Sequence, residues 1–389
     1  MKICFITSTV FTLGGVQRVV SVLANELSKE HEIDILCTSD NSLVNREIYG
    51  LNENIKINIE PNLWNENIKN RIIKKINKET NLLNKKRYVS ILTNEYYNKK
   101  TQQNFVEYIN SKKYDVVIGV EGKYSILLGI ISDKLNCKTI GWQHNSYDAY
   151  MKNKKRYYWN QDILFEEYIP RLDKYLVLTE YDQKMFLQEK NIKSSVMYNP
   201  RSFKSKDKSK VNKKQFLAAG RFKHQKGFDL LIESFYEFCK YDKEWNLVIV
   251  GEGEDKEKIL NLIDKYGIEK RVKIDNFTND IKNYFMNSSV LTLSSRWEGM
   301  PMIVLESLEM GVPIISYDIT ATQQLIEDKK EGLLVNKYDT IKFAEAMKIM
   351  ADSQHLREEM SKNAINKSTE FDIENIAKQW NEMFLEIVN

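Results

Sequence analysis

RWEGMPMIVLESLEMGVPII, residues 296–315, is the stretch that decides the fold. The apolar run 290–293 precedes it and reads as a strand entering a short polar turn. Gly299 and Pro301 punctuate that turn, and Pro301 suits a first helical turn, where a missing N–H costs nothing. Gly311 is a fitting helix stop, and Pro313 leads into the next strand. Glu298 falls in the turn and Glu306 about one and a half turns into the helix, at 3.6 residues per turn. A helix N-terminus exposes unpaired N–H groups and partial positive charge, which favour an anion. Carboxylate oxygens accept hydrogen bonds from vicinal hydroxyls. The stretch therefore reads as a phosphate site around Gly299, Met300, Pro301, Met302 and Ile303, with a hydroxyl-binding acid on each side.

Outward from it, strand and helix patterns alternate, as in parallel sheets covered on both faces. Residues 216–219 form a strand, the loop GRFKHQKG follows at 220–227, and a helix starts at Phe228. That loop carries Gly220, Arg221 and Lys226; arginine offers phosphate a planar fork and lysine a point charge. The strand 247–250 ends at Gly251, and the strand 272–274 leads to Asn276 and Phe277. In the first half, Gly14 and Gly15 separate a strand at 3–7 from a helix at 16–27 that carries Arg18. This is neither a dinucleotide fingerprint nor a P-loop. The strand 138–142 ends in Gln143-His144-Asn145, and ligands bind beyond the carboxyl ends of such strands.

A chain of 389 residues divides most simply into two domains. Boundaries are expected at 1–200, a basic linker at 201–214, a second domain at 215–370 and a terminal helix at 371–389. Net charge is only +4, which excludes global polyanion binding, and nucleic acid is not an expected partner. Cys4, Cys37, Cys137 and Cys239 have neither metal-ligand nor redox spacing, and no Asp-x-Asp occurs, so no metal and no cofactor are expected. No stretch reaches the ~20 apolar residues that cross a bilayer.

Charge is concentrated locally. Residues 69–100 hold ten Lys/Arg against two acids. A helix within 67–87 would have an isoleucine edge and a basic face with Lys74 and Lys75. Two readings stand side by side: contact with an anionic membrane, or a surface helix docking its apolar edge on its own domain. Lys152, Arg156 and Trp159 lie in a basic, aromatic loop that suits an acceptor.

Glu298-Gly-x-Pro-x-x-x-x-Glu306 followed by Gly311-x-Pro313 resembles the donor-site motif of the retaining family 4 glycosyltransferases, and the loop 220–227 is similar to that family's diphosphate clamp. The resemblance implies an α/β chain with the GT-B fold, two Rossmann-like doubly wound domains facing across a cleft. It implies metal-free transfer of a hexose or N-acetylhexosamine from a nucleotide diphosphate sugar, UDP-linked, to a glycan or lipid-linked acceptor in cell-surface polysaccharide synthesis. Arg221 and Lys226 would neutralise the departing diphosphate, Glu298 would bind the donor sugar, and Glu306 the ribose. Gly14, Gly15, Gly220 and Gly251 would border the donor phosphates and nucleotide. Asn276 and Phe277 would sit at the base, and His144 at the donor sugar. The implied place is the cytoplasm, at the inner face of the membrane. Residues 319–322, Ile-Thr-Ala-Thr, depart from a Gly-Pro-containing turn common in the family. A non-catalytic GT-B subunit is the alternative.

Overall fold

The computed structural model describes residues 1–40 and 44–389. It divides into two units, residues 1–199 with 373–389, and residues 200–372.

The first unit contains β1 (Lys2–Thr7), β2 (Glu32–Cys37), β3 (Lys56–Ile59), β4 (Val116–Val120), β5 (Lys138–Trp142), β6 (Lys174–Val177) and β7 (Ser195–Val196). Their order across the sheet is β3-β2-β1-β4-β5-β6-β7. The second unit contains β8 (Gln215–Ala219), β9 (Asn246–Val250), β10 (Val272–Asp275), β11 (Val290–Leu293), β12 (Ile314–Tyr317) and β13 (Gly332–Val335), in the order β10-β9-β8-β11-β12-β13. The strands pair in parallel throughout, with Ile3 opposite Ile33 and Val116, and Leu291 opposite Leu217 and Ile314. Parallel strands need covered faces, and the inner strands β4, β11 and β12 are buried along their whole length. Both sheets reverse their strand order once, between β1 and β4 and between β8 and β11. Such a reversal opens a crevice beyond the carboxyl ends of the two strands.

The terminal helix Ile373–Val388 belongs to the first unit. Its Trp380 is fully buried, 4.9 Å from Trp142 and 6.4 Å from Phe5 between ring centres. Asn381 bonds His31 Nε2 at 2.9 Å, and Lys174 bonds Glu386 at 2.7 Å. The helix thus completes the core of a unit whose other residues precede it by about half the chain.

Residues 201–214, the basic stretch expected to link the domains, fall within the second unit. Arg201 is buried, paired with Glu309 and Asp372. Lys208 bonds Glu309 at 2.5 Å, and Ser209 Oγ donates to the carbonyl of Ser288 at 2.8 Å. Arg201 and Lys208 thus both converge on Glu309, which is itself only 1% exposed, while Lys204, Lys206, Lys210, Lys213 and Lys214 stay exposed. All four cysteines are free thiols.

Trp380→Ala should cost roughly 3–5 kcal/mol, because it leaves a cavity among large aromatic rings. A thermal melt checks this; an unchanged midpoint would remove the helix from the first unit's core.

Candidate functional site

The crevice of the second unit lies between the loops that follow β8 and β11, and the two loops are stapled together. The backbone N–H of Arg296 donates to the carbonyl of Gln225 at 2.8 Å. Gln225 Nε2 donates to the carbonyl of Trp297 at 3.0 Å, and Ser294 Oγ to that of Lys226 at 3.0 Å. Arg296 grips Asp229 through both guanidinium nitrogens, at 2.9 and 2.6 Å, and reaches the His224 carbonyl at 2.7 Å. Gly227 allows this approach. Its φ is +62°, and a Cβ there would stand 2.1 Å from the Ser294 carbonyl oxygen. Gly251 plays the same part behind the first loop, where a Cβ would meet the Gly220 carbonyl oxygen at 2.0 Å.

The stapled loops put Lys226 Nζ 2.6 Å from Glu298 Oε1. Ser295 Oγ donates to the same oxygen at 2.6 Å, whereas Oε2 has a single long contact, 3.4 Å from Gln225. Glu298 is 7% exposed. An ammonium has three protons, so Lys226 can hold Glu298 and still offer protons to an anion. Arg221 projects from the same loop, exposed, with no side-chain partner among the described residues. A cation fixed by a carboxylate and a second cation left free make an anion seat that needs little rearrangement.

The helix Met302–Met310 begins one residue later than its sequence suggests. Pro301, at φ −71° and ψ 112°, is extended and precedes the first turn. Its ring still spares a donor, and no side chain caps the helix. The N–H of Val304 turns back to the Pro301 carbonyl at 3.0 Å, while those of Met302 and Ile303 meet no acceptor among the described residues. Gly299, Met300 and Met302 are buried around that opening. Glu306, on the same helix, is 1% exposed and accepts a hydrogen bond from Ser202 Oγ at 2.7 Å. Glu309, which the motif does not single out, is the structural acid of this helix; it anchors residues 201–208. Past β12, Thr322 Oγ1 bonds the Tyr317 and Ile319 carbonyls at 3.0 and 2.9 Å, so this departure from the family pattern closes its own turn. Asn276 accepts from Lys256 at 3.0 Å beyond β10, and Phe277 beside it is half-buried.

In the first unit, Gly14 precedes the helix Gly15–Leu27, and its N–H donates to Tyr49 Oη at 2.7 Å. Arg18 stacks on the Tyr49 ring at 5.3 Å. His144 follows β5 and packs on Trp142 at 4.2 Å between ring centres. Its Nε2 is enclosed without a partner, and desolvation pushes its pKa down to about 3. The imidazole is therefore neutral at ordinary pH, a hydrogen-bonding group and not a charge. Gln143 is internal: Tyr175 donates to it at 2.7 Å.

A cavity of about 370 Å³ opens in the first unit beyond β3, β4 and β5, lined by Trp64, Tyr96, Tyr97 and Tyr158 with Glu66 and Lys123. The Lys123 ammonium sits 3.9 Å above the Trp64 ring. Lys74 turns inward to this cavity, bonding Glu66 at 2.6 Å and covering Tyr96 at 5.2 Å, while Lys75 is exposed. Lys152 pairs with Asp148 at 2.8 Å, Arg156 is exposed, and Trp159 is half-buried. Among the described residues no group of three or more His, Cys, Asp or Glu is placed to hold a metal ion.

Two parallel Rossmann-like sheets, each with one reversal of strand order, define the fold class, GT-B. Residues 200–367 match the family of glycosyl transferases group 1. It is 28% identical over 386 residues to an uncharacterized glycosyltransferase of Haemophilus influenzae, covering 97% of this chain and 98% of that one. It is 25% identical to an α-1,4-N-acetyl-D-galactosaminyltransferase of Campylobacter jejuni, named for an undecaprenol diphosphate-linked glycan, over 100% of this chain and 99% of the relative. The fold matches Anabaena HepE in complex with UDP-glucose, with a TM-score of 0.75 at 15% identity over 99% of this chain and 100% of that one.

Gly227→Ala should destabilise the second unit by more than about 1 kcal/mol, since a side chain there is strained at positive φ and meets backbone. Urea unfolding measures it; a neutral effect would show that the two loops are not held in contact. In an NMR titration, His144 should stay neutral across the range in which free imidazole, pKa about 6.5, takes its proton. Protonation near that value would contradict its enclosure.

Proposed function

We propose that this glycosyltransferase moves a hexose or N-acetylhexosamine from a UDP-sugar to a glycan or lipid-linked glycan acceptor, with retention of configuration and without a metal. The observation that carries the reading is the Lys226–Glu298 pair at 2.6 Å beside the free Arg221, at the reversal of the second sheet. The UDP-glucose complex of HepE supports a uridine donor, and the Campylobacter relative's name supports a lipid-linked acceptor.

In this reading the diphosphate lies on Arg221, Lys226 and the free N–H groups of Met302 and Ile303. Charge develops on the leaving phosphate as the glycosidic bond breaks, and these fixed donors stabilise it in place of a metal. Glu298 Oε2, the less engaged oxygen, accepts a hydroxyl of the donor sugar. Glu306 exchanges Ser202 for the ribose hydroxyls. Asn276 and Phe277 meet the base. His144, as neutral imidazole, hydrogen-bonds sugar. The aromatic cavity of the first unit, with Lys123 above Trp64, takes acceptor sugars: rings cover their apolar faces and Glu66 their hydroxyls.

A thermal-shift screen of UDP- and GDP-sugars tests the donor, because a bound ligand stabilises by about 2.7 kcal/mol at a hundred times its Kd. UDP-sugars should raise the midpoint and GDP-sugars should not. Glu306→Ala should abolish most of the shift without lowering the midpoint of the free protein by more than a few degrees. Product NMR should show the donor's anomeric configuration. No shift with any sugar nucleotide, together with no hydrolysis, would instead indicate a non-catalytic subunit.

A further inference from the structure

The helix Ile68–Thr80 is mounted in an unusual way. The side chains it buries are amides. Asn70, 5% exposed, donates to Glu95 at 2.7 Å, and Asn77, 1% exposed, donates to the Asn160 carbonyl at 3.0 Å and accepts from the Leu83 N–H at 2.9 Å. Asn67 and Asn70 form a capping box at its start. Three of its four isoleucines face the other way: Ile73 is half-buried, whereas Ile68 is 76%, Ile72 55% and Ile76 52% exposed. They stand at i, i+4 and i+8, one row along the helix, opposite the row of Asn70 and Asn77. Of the two readings of this edge, docking on its own domain does not describe Ile68, Ile72 and Ile76.

Charge flanks the row. At 100° per residue Lys69 falls on one side of it, and Lys75, Arg71 and Lys78 on the other. The helix carries five cations and one carboxylate, Glu79, which is paired with Lys155. Arg71 and Lys74 are tied to Glu66 at 3.1 and 2.6 Å, whereas Lys69, Lys75 and Lys78 are exposed with no ion pair among the described residues. An apolar row on the outward side bordered by free ammonium groups is complementary to a surface that is apolar below and anionic at its boundary. A protein partner would need an acidic rim around an apolar groove; a bilayer with anionic headgroups presents both layers along the whole helix. Long lysine side chains reach the headgroups while the isoleucines enter the acyl boundary.

We propose that the face Ile68–Ile72–Ile76, with Lys69, Lys75 and Lys78, docks on an anionic lipid bilayer. The helix then lies in the interface plane, and its opposite side lines the aromatic cavity through Asn70 and Lys74. The proposal deepens the lipid-linked acceptor reading by giving that acceptor a surface, but the docking itself requires neither donor nor acceptor.

The test is co-sedimentation of the whole chain with vesicles of phosphatidylcholine alone and with ~30% phosphatidylglycerol, at low and high salt. Wild type should bind the anionic vesicles and bind neutral ones at least tenfold more weakly. The triple variant I68S/I72S/I76S should lose anionic binding at least tenfold with an unchanged melting point, because these side chains touch little in the fold. K69Q/K75Q/K78Q should weaken binding and flatten its salt dependence. Failure of wild type to bind anionic vesicles at low salt, or equal binding by the isoleucine variant, overturns the proposal. So does a change of oligomeric mass in that variant without vesicle binding, which would make the row a self-association face. Vesicle binding without any response to UDP-sugars would leave this proposal standing and remove the donor assignment.

Discussion

The second unit depends on one short contact, Lys226 with Glu298. A half-buried ammonium and a buried carboxylate are costly to desolvate apart and tolerable together. Meeting requires two loops from adjacent strands to touch, and the sheet supplies that adjacency, because β8 and β11 are neighbours at the single reversal of strand order. The Arg296–Asp229 fork and the backbone bonds around Gln225 hold the loops together, and Gly227 leaves room for them. The pair is thus a result of topology before it is a device of chemistry.

Much of this was legible in the residues. The order Gly-Arg-Phe-x-x-x-Lys-Gly after one strand and Glu-Gly-x-Pro after another places both clusters at carboxyl ends of parallel strands, and strand periodicity fixes which end that is. The stapling was not legible. Gln225, Asp229 and Arg296 look like ordinary surface residues, and their partners lie about 70 positions away. The role of 201–214 was hidden for the reverse reason. Seven Lys/Arg suggest solvent, while the group that draws Arg201 and Lys208 in, Glu309, is more than a hundred residues distant. The basic helix left two readings open, because an amphipathic pattern shows that two faces differ, not which of them is buried, and here the amides face inward. Pro301 marked the helix start to within one residue.

The first unit shows how a distant segment can finish a core. Trp380 reaches Trp142 and Phe5, and His144 packs at the edge of that aromatic cluster. Packing keeps the imidazole neutral, so a residue that the motif marks as functional owes its protonation state to its apolar surroundings. The same unit carries an aromatic cavity and an outward isoleucine row on opposite sides of one helix.

The central claim is that a preformed pair of cations seats the diphosphate. Calorimetric titration of UDP into wild type and into Lys226→Met tests it most directly, since methionine keeps the apolar stem and deletes the charge. The account predicts at least tenfold weaker binding in the variant, about 1.4 kcal/mol or more, with the loss diminishing as salt rises. Equal affinity in the two proteins would contradict it.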